Sequence, residues 1–101
     1  MIKHVVMIKV KDFDNLQKKT EVIEKLKNEL DNLDEEIEEI RYLDTGINIS
    51  NSPLAYDLVL ITEFESLEDL DIYRNHSAHV KVLEFINEIK EKLTVVDYNF
   101  D

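Results

Sequence analysis

Near neutral pH the side chains of this 101-residue chain best suited to move a proton are its three histidines, His4, His76 and His79. Two of them fall in the run Tyr73-Arg74-Asn75-His76-Ser77-Ala78-His79, which also supplies a phenol. A neutral imidazole can take a proton from a carbon beside a carbonyl, and a tyrosine hydroxyl can stabilise the enolate that forms. His79 lies in the first turn of a helix expected to start at Ser77. The positive end of the helix dipole disfavours imidazolium there, which keeps the ring neutral and able to accept a proton near pH 7, opposing the chain's overall negative field. His4 sits on an otherwise apolar strand face, either as a core histidine satisfied by one hydrogen bond or as a cavity ligand or base. Tyr73 reads equally as a donor that orients a carbonyl and as an amphipathic core aromatic. His76 reads as an exposed or junction residue. As a metal pair, His76 and His79 have no third ligand in register, so no zinc and no other cofactor is expected.

Other chemistries find no support. There is no cysteine, hence neither a thiolate nucleophile nor a disulfide. No Ser-His-Asp set, glycine-rich phosphate loop or catalytic carboxylate pair can be argued from the order of residues. The acidic stretch from Glu29 to Glu39 lacks the turn glycine of a calcium loop and reads as a solvated helix end. A net charge of −11 with scattered basic residues argues against nucleic acid and against an anionic membrane surface. No apolar run approaches the roughly 20 residues of a membrane span, and Met-Ile-Lys-His is not a signal-peptide start. The cytoplasm is the default compartment.

The elements that must hold these groups are legible from periodicity. With one Gly and one Pro, residues 1–101 should form one domain of regular elements with short connections. Residues 2–11 read as a strand, with Ile2, His4, Val6, Ile8 and Val10 on one face and Val5 and Met7 in the middle of the other. Asp14, with Gln17 three residues on, predicts a capped helix whose apolar stripe is Leu16, Ile23, Leu26, Leu30 and Leu33. Ile37–Ile49 reads as a less buried strand in which Gly46 marks a bulge or a close approach. Asn48–Pro53 reads as a turn, and Tyr56–Glu65 as a strand apolar on both faces. Ser66 caps a short helix through Leu70 and Tyr73 that breaks near Asn75. A second helical piece runs from Ser77 to about Leu93, and Val95–Phe100 closes the chain as a strand.

Strand, helix, strand, strand, helix in two pieces, strand is the order of a ferredoxin-like βαββαβ α+β fold with a four-stranded antiparallel sheet. Its helices cover one face of the sheet. The first and third strands are apolar on both, so a lone chain would bare a patch of at least about a few hundred Å², which soluble monomers rarely do. A homodimer with its sheets face to face, a dimeric α+β barrel, is the economical solution.

Ile2-Lys3-His4-Val5-Val6, Gly46-Ile47-Asn48-Ile49-Ser50, Tyr56-Asp57-Leu58-Val59-Leu60, Phe64-Glu65-Ser66-Leu67, Tyr73 through Val80 and Val95-Val96-Asp97-Tyr98 together resemble a stress-responsive A/B barrel (Dabb) domain. The resemblance spans essentially the whole chain, and Tyr-x-x-His-x-x-His is its most specific part. It implies a dimeric α+β barrel. Many bacterial members of such a family have no assigned activity, whereas some plant members are cofactor-free polyketide cyclases. Carried over, Tyr73 and His79 match the acting Tyr and His, and His4 matches a histidine lining the same cavity. Two positions depart from the pattern: Leu58 replaces a polar cavity residue of cyclase-type members, and Ser77 replaces the usual Pro. Two readings follow: a small homodimeric protein that binds an apolar or carbonyl ligand, and a cofactor-free enzyme using His79, Tyr73 and His4 on a carbonyl compound. A monooxygenase of the kind found on related barrels rests on analogy of fold alone.

Overall fold

The computed structural model describes residues 1–101. Its elements are β1 (Ile2–Val10), α1 (Leu16–Asp31), α2 (Leu33–Glu36), β2 (Tyr42–Ile47), β3 (Leu58–Phe64), α3 (Leu67–Asn75), α4 (Ser77–Ile89) and β4 (Lys90–Asn99). The strands form one antiparallel sheet in the order β2-β3-β1-β4. This is the ferredoxin-like βαββαβ arrangement. No helix is long and apolar enough to cross a membrane.

Alternation decides which side chains enter the core. Along β1 and β3 every second residue is buried, from Ile2 to Val10 and from Leu58 to Phe64. These side chains meet Leu26 and Leu30 of α1, Leu70 and Tyr73 of α3, and Val82, Ile86 and Ile89 of α4 in one core. The other face carries Val5, Met7, Val59, Ile61, Val96 and Tyr98, and no element of the chain covers it. Met7, Val96 and Tyr98 keep 43%, 54% and 45% of their surface exposed, so an apolar sheet face stands open to solvent.

Several boundaries differ from the sequence expectation. The first helix is capped by Asn15, whose side chain accepts from the Lys18 N–H at 3.1 Å, and not by Asp14. Phe13 and Asp14 form a left-handed turn (φ 56° and 54°) that moves the helix start one residue on. Gln17 then reaches Glu21 and makes no capping box. Leu16, placed first in the apolar stripe, is 80% exposed and takes no part in the core. Ile37 and Ile40 are buried in the approach to β2 but outside it, so their burial mimicked strand alternation. At Gly46 a Cβ would stand 3.3 Å from Val59 Cγ1, which is a close approach; the β2–β3 register has no bulge. The last helix ends at Ile89, and Leu93 belongs to β4. Leu93 satisfies both a 3.6 and a 2.0 period, an ambiguity intrinsic to short apolar runs.

Ser66 caps α3 as expected, its hydroxyl accepting from the Asp69 N–H at 3.1 Å. Ser66→Ala should cost about 0.5–2 kcal/mol, read as a lower denaturation midpoint at unchanged slope. An unchanged midpoint would show the cap to be dispensable.

Candidate active site

A cavity of about 300 Å³ lies between the inner face of β1 and β4, the end of α3 and the buried side of α4. That volume is at the small end of the range for small-molecule sites. Its walls are apolar, with Val6, Ile8, Val82, Ile86, Leu93 and Val95 among them. Four of the lining residues carry polar side chains: His4, Tyr73, Arg74 and His79. The three residues singled out from the sequence therefore line one cavity.

Tyr73 is the hub. Helical spacing from Leu70 turns it inward from the last full turn of α3, where it has no exposed surface. Its ring centroid is 5.0 Å from that of Phe64, 4.3 Å from that of His79 and 5.9 Å from that of His4, the last edge-on at 67°. The hydroxyl is buried and finds no hydrogen-bond partner. Burial pushes the phenol well above its ordinary pKa, so it is a neutral donor at any physiological pH. A hydroxyl left unpaired in this way costs about 1–3 kcal/mol.

Thr62, directly across the ladder from His4, repeats the feature: it is fully buried and its hydroxyl also has no partner. Thr62→Val keeps the shape and removes the orphan. The substitution should leave the melting temperature unchanged or raise it by up to about 4–8 °C, the shift expected per kcal/mol for this size. A fall of that size in a thermal melt would show that the hydroxyl has a partner in solution.

His79 reaches the cavity because the chain breaks between α3 and α4. His76 makes that junction: its Nδ1 accepts from the Ala78 N–H at 3.1 Å and caps α4 in place of the expected Ser77. The cap commits His76 to structure. The Arg74 carbonyl, near the end of α3, has no helical partner and accepts the His79 Nδ1–H at 3.0 Å. Nε2 is then the ring's acceptor. Burial lowers the His79 pKa below its ordinary value; the bond to the Arg74 carbonyl opposes this, and the nearby Arg74 guanidinium pushes the same way as burial. The helix dipole adds to the downward side.

His4 is held by a residue that the sequence reading missed. Its Nδ1–H donates to Asp97 of β4 in a close contact, and Arg74 Nη2 donates to the other Asp97 oxygen at 2.8 Å. Asp97 faces His4 across the β1–β4 ladder. The available signal was the alternation Val95, Asp97 on a strand that closes the sheet beside β1. Arg74, also missed, adjoins Tyr73 in sequence and ion-pairs with Asp71 as well. No group of three or more His, Asp or Glu side chains is placed to hold a metal ion.

Comparison with known proteins agrees with this architecture. The family model described as "Stress responsive A/B Barrel Domain" matches residues 2–100. A stress-response A/B barrel domain-containing protein of Arabidopsis thaliana is 33% identical; the match takes in 100% of this chain and 37% of that protein, so the chain spans little more than a third of this relative. A dimeric protein of unknown function and ferredoxin-like fold from Bacteroides fragilis superimposes with a TM-score of 0.89 at 30% identity, covering 98% of this chain and 95% of that one. A hydroxynitrile lyase from Passiflora edulis shares the fold (TM-score 0.84, covering 99% and 93%), but at 14% identity the likeness reaches no further.

Proposed function

The chain belongs to the stress-responsive A/B barrel domain family, and on that premise we propose that it is a homodimer whose cavity binds a small, largely apolar carbonyl compound and moves a proton at the carbon beside the carbonyl without a cofactor. The observation that carries this reading is that one apolar cavity is lined by Tyr73, whose buried hydroxyl has no partner, and by His79, whose ring packs 4.3 Å from the Tyr73 ring with Nδ1 committed to a carbonyl. His79 Nε2 takes the α-proton, the C–H electron pair moves into the enolate, and the Tyr73 O–H donates to the enolate oxygen. Returning the proton to carbon closes the cycle. His4, held through Nδ1 by Asp97, orients the ligand with its remaining nitrogen. The surrounding apolar walls exclude water and strengthen both interactions.

The dimer reading rests on the uncovered sheet face and on the dimeric state of the Bacteroides fragilis neighbour. Burying that face drives association through apolar area.

The test is hydrogen–deuterium exchange at the α-carbons of 2-octanone in D₂O, followed by proton NMR. Exchange faster than that produced by the same concentration of free imidazole supports the reading. Equal rates overturn it.

Because His79 works as a neutral base, the rate should rise with pH through its lowered pKa, with a midpoint below the ordinary imidazole value of 6.5. Stability follows the same group. The unfolded chain binds this proton more readily than the folded one, so the contribution is complete above about 6.5 and is lost as pH falls through the folded value. A pH–rate profile whose midpoint lies above 6.5 would contradict this assignment.

A further inference from the structure

Arg74 is linked to both imidazoles of the site by two separate routes, one direct and one through Asp97. Its backbone carbonyl accepts the His79 Nδ1–H at 3.0 Å. Its guanidinium donates to Asp97 at 2.8 Å, and Asp97 in turn accepts the His4 Nδ1–H. A second bond, from Nη1 to Asp71 at 3.2 Å, ties the same guanidinium back to α3. The planar fork is thereby fixed between its own helix and the edge strand β4, which has no other ion pair to α3.

We propose that Arg74 is the positioning residue of this site: it sets both rings in the Nδ1–H tautomer, so that His4 and His79 each keep Nε2 as the acceptor. A ring's tautomer is decided by the bond its other nitrogen makes. Without the guanidinium, the Asp97 carboxylate keeps only its bond to the His4 ring and loses the contact that fixes its orientation from α3. The two routes differ in kind, and that difference gives the inference its content. A side-chain substitution at 74 cuts the route to His4 and spares the carbonyl that holds His79.

This inference builds on the site described under the proposed function, but its test needs no ligand and no turnover. Nitrogen-15 spectra of the imidazoles in uniformly labelled protein report the protonated nitrogen of each ring. In the wild type, above the histidine titration range, both rings should show Nδ1 protonated and Nε2 bare. In Arg74→Ala the His4 pattern should become a tautomer average while His79 keeps its wild-type pattern. Arg74→Lys, which can restore one bond to Asp97, should recover much of the His4 pattern. Asp97→Asn should disturb His4 more than Arg74→Ala does, because an amide can offer Nδ1 a donor and reverse the tautomer. In the 2-octanone assay the Arg74→Ala loss should be about two- to fivefold, in keeping with a half-exposed ion pair.

A His4 pattern unchanged in Arg74→Ala, or a His79 pattern changed along with it, overturns the proposal. So does a wild-type His4 protonated at Nε2. Correct tautomers in a protein that exchanges no 2-octanone hydrogens would leave Arg74 as the positioning residue and sink only the proton-transfer reading.

Discussion

His79→Ala should slow α-hydrogen exchange in 2-octanone by about 10²- to 10⁴-fold, the usual worth of a positioned general base. The ring lies partly buried at the start of α4, so its removal should lower stability only modestly. Tyr73→Phe makes the sharper companion. It deletes one oxygen that has no partner in the folded protein, so the melting temperature should hold or rise. The same change removes the donor to the enolate and should slow exchange about a hundredfold or more, as losing a single oxyanion donor does elsewhere. A protein made more stable and less active by one substitution carries the signature of a polar group kept for its ligand. Tyr73→Phe with full exchange activity would remove Tyr73 from the chemistry. Loss of stability and activity together would mark the hydroxyl as structural.

The second large effect concerns the open sheet face. Val5 lies mid-face, paired with Ile61 on one side and Val96 on the other. Val5→Asp would place an unpaired carboxylate at the centre of the proposed contact, at a cost of about 3–5 kcal/mol. The dimer should weaken by about a hundredfold to a few thousandfold. The folded chain should survive, because Val5 is only half-buried within one protomer. Sedimentation at micromolar concentration reads the result: dimer for the wild type, monomer for the variant. Salt gives an independent check. Two chains of −11 repel, so an interface driven by apolar area should tighten as salt rises and screening shortens. A wild type that sediments as a monomer at ordinary salt would contradict the dimer reading.

The sheet and its two characters could be read from the sequence because alternation is a local property. Ile2 to Val10 and Leu58 to Phe64 announce their buried faces without help from any other element. The break before His76 was legible for the same reason, although which residue caps α4 was not. Ser77 is the better capping type, and only the backbone shows that His76 stands one place earlier with its ring nitrogen on the Ala78 N–H. The site divides along the same line. Tyr73 and His79 lie six residues apart, on one face of a broken helix, and could be paired from sequence. Asp97 is 93 positions from His4, and their contact exists only once β4 has docked beside β1 in a particular register. Arg74 was hidden differently. Nothing in its type or spacing marks it out, and about half of its side chain is exposed. Its function comes from a carbonyl that the helix leaves free and from a carboxylate on another strand.

The central claim is that one ligand meets His79, Tyr73 and His4 in a single cavity. 4-Propylphenol is a direct probe, since its ring and hydroxyl stand in for a planar enol and its chain for an apolar tail. Titrated into protein labelled at histidine and tyrosine, it should move the signals of His4, Tyr73 and His79 together along one saturation curve and leave His76 in place. Shifts confined to the open sheet face, or separate curves for the three residues, would contradict the account.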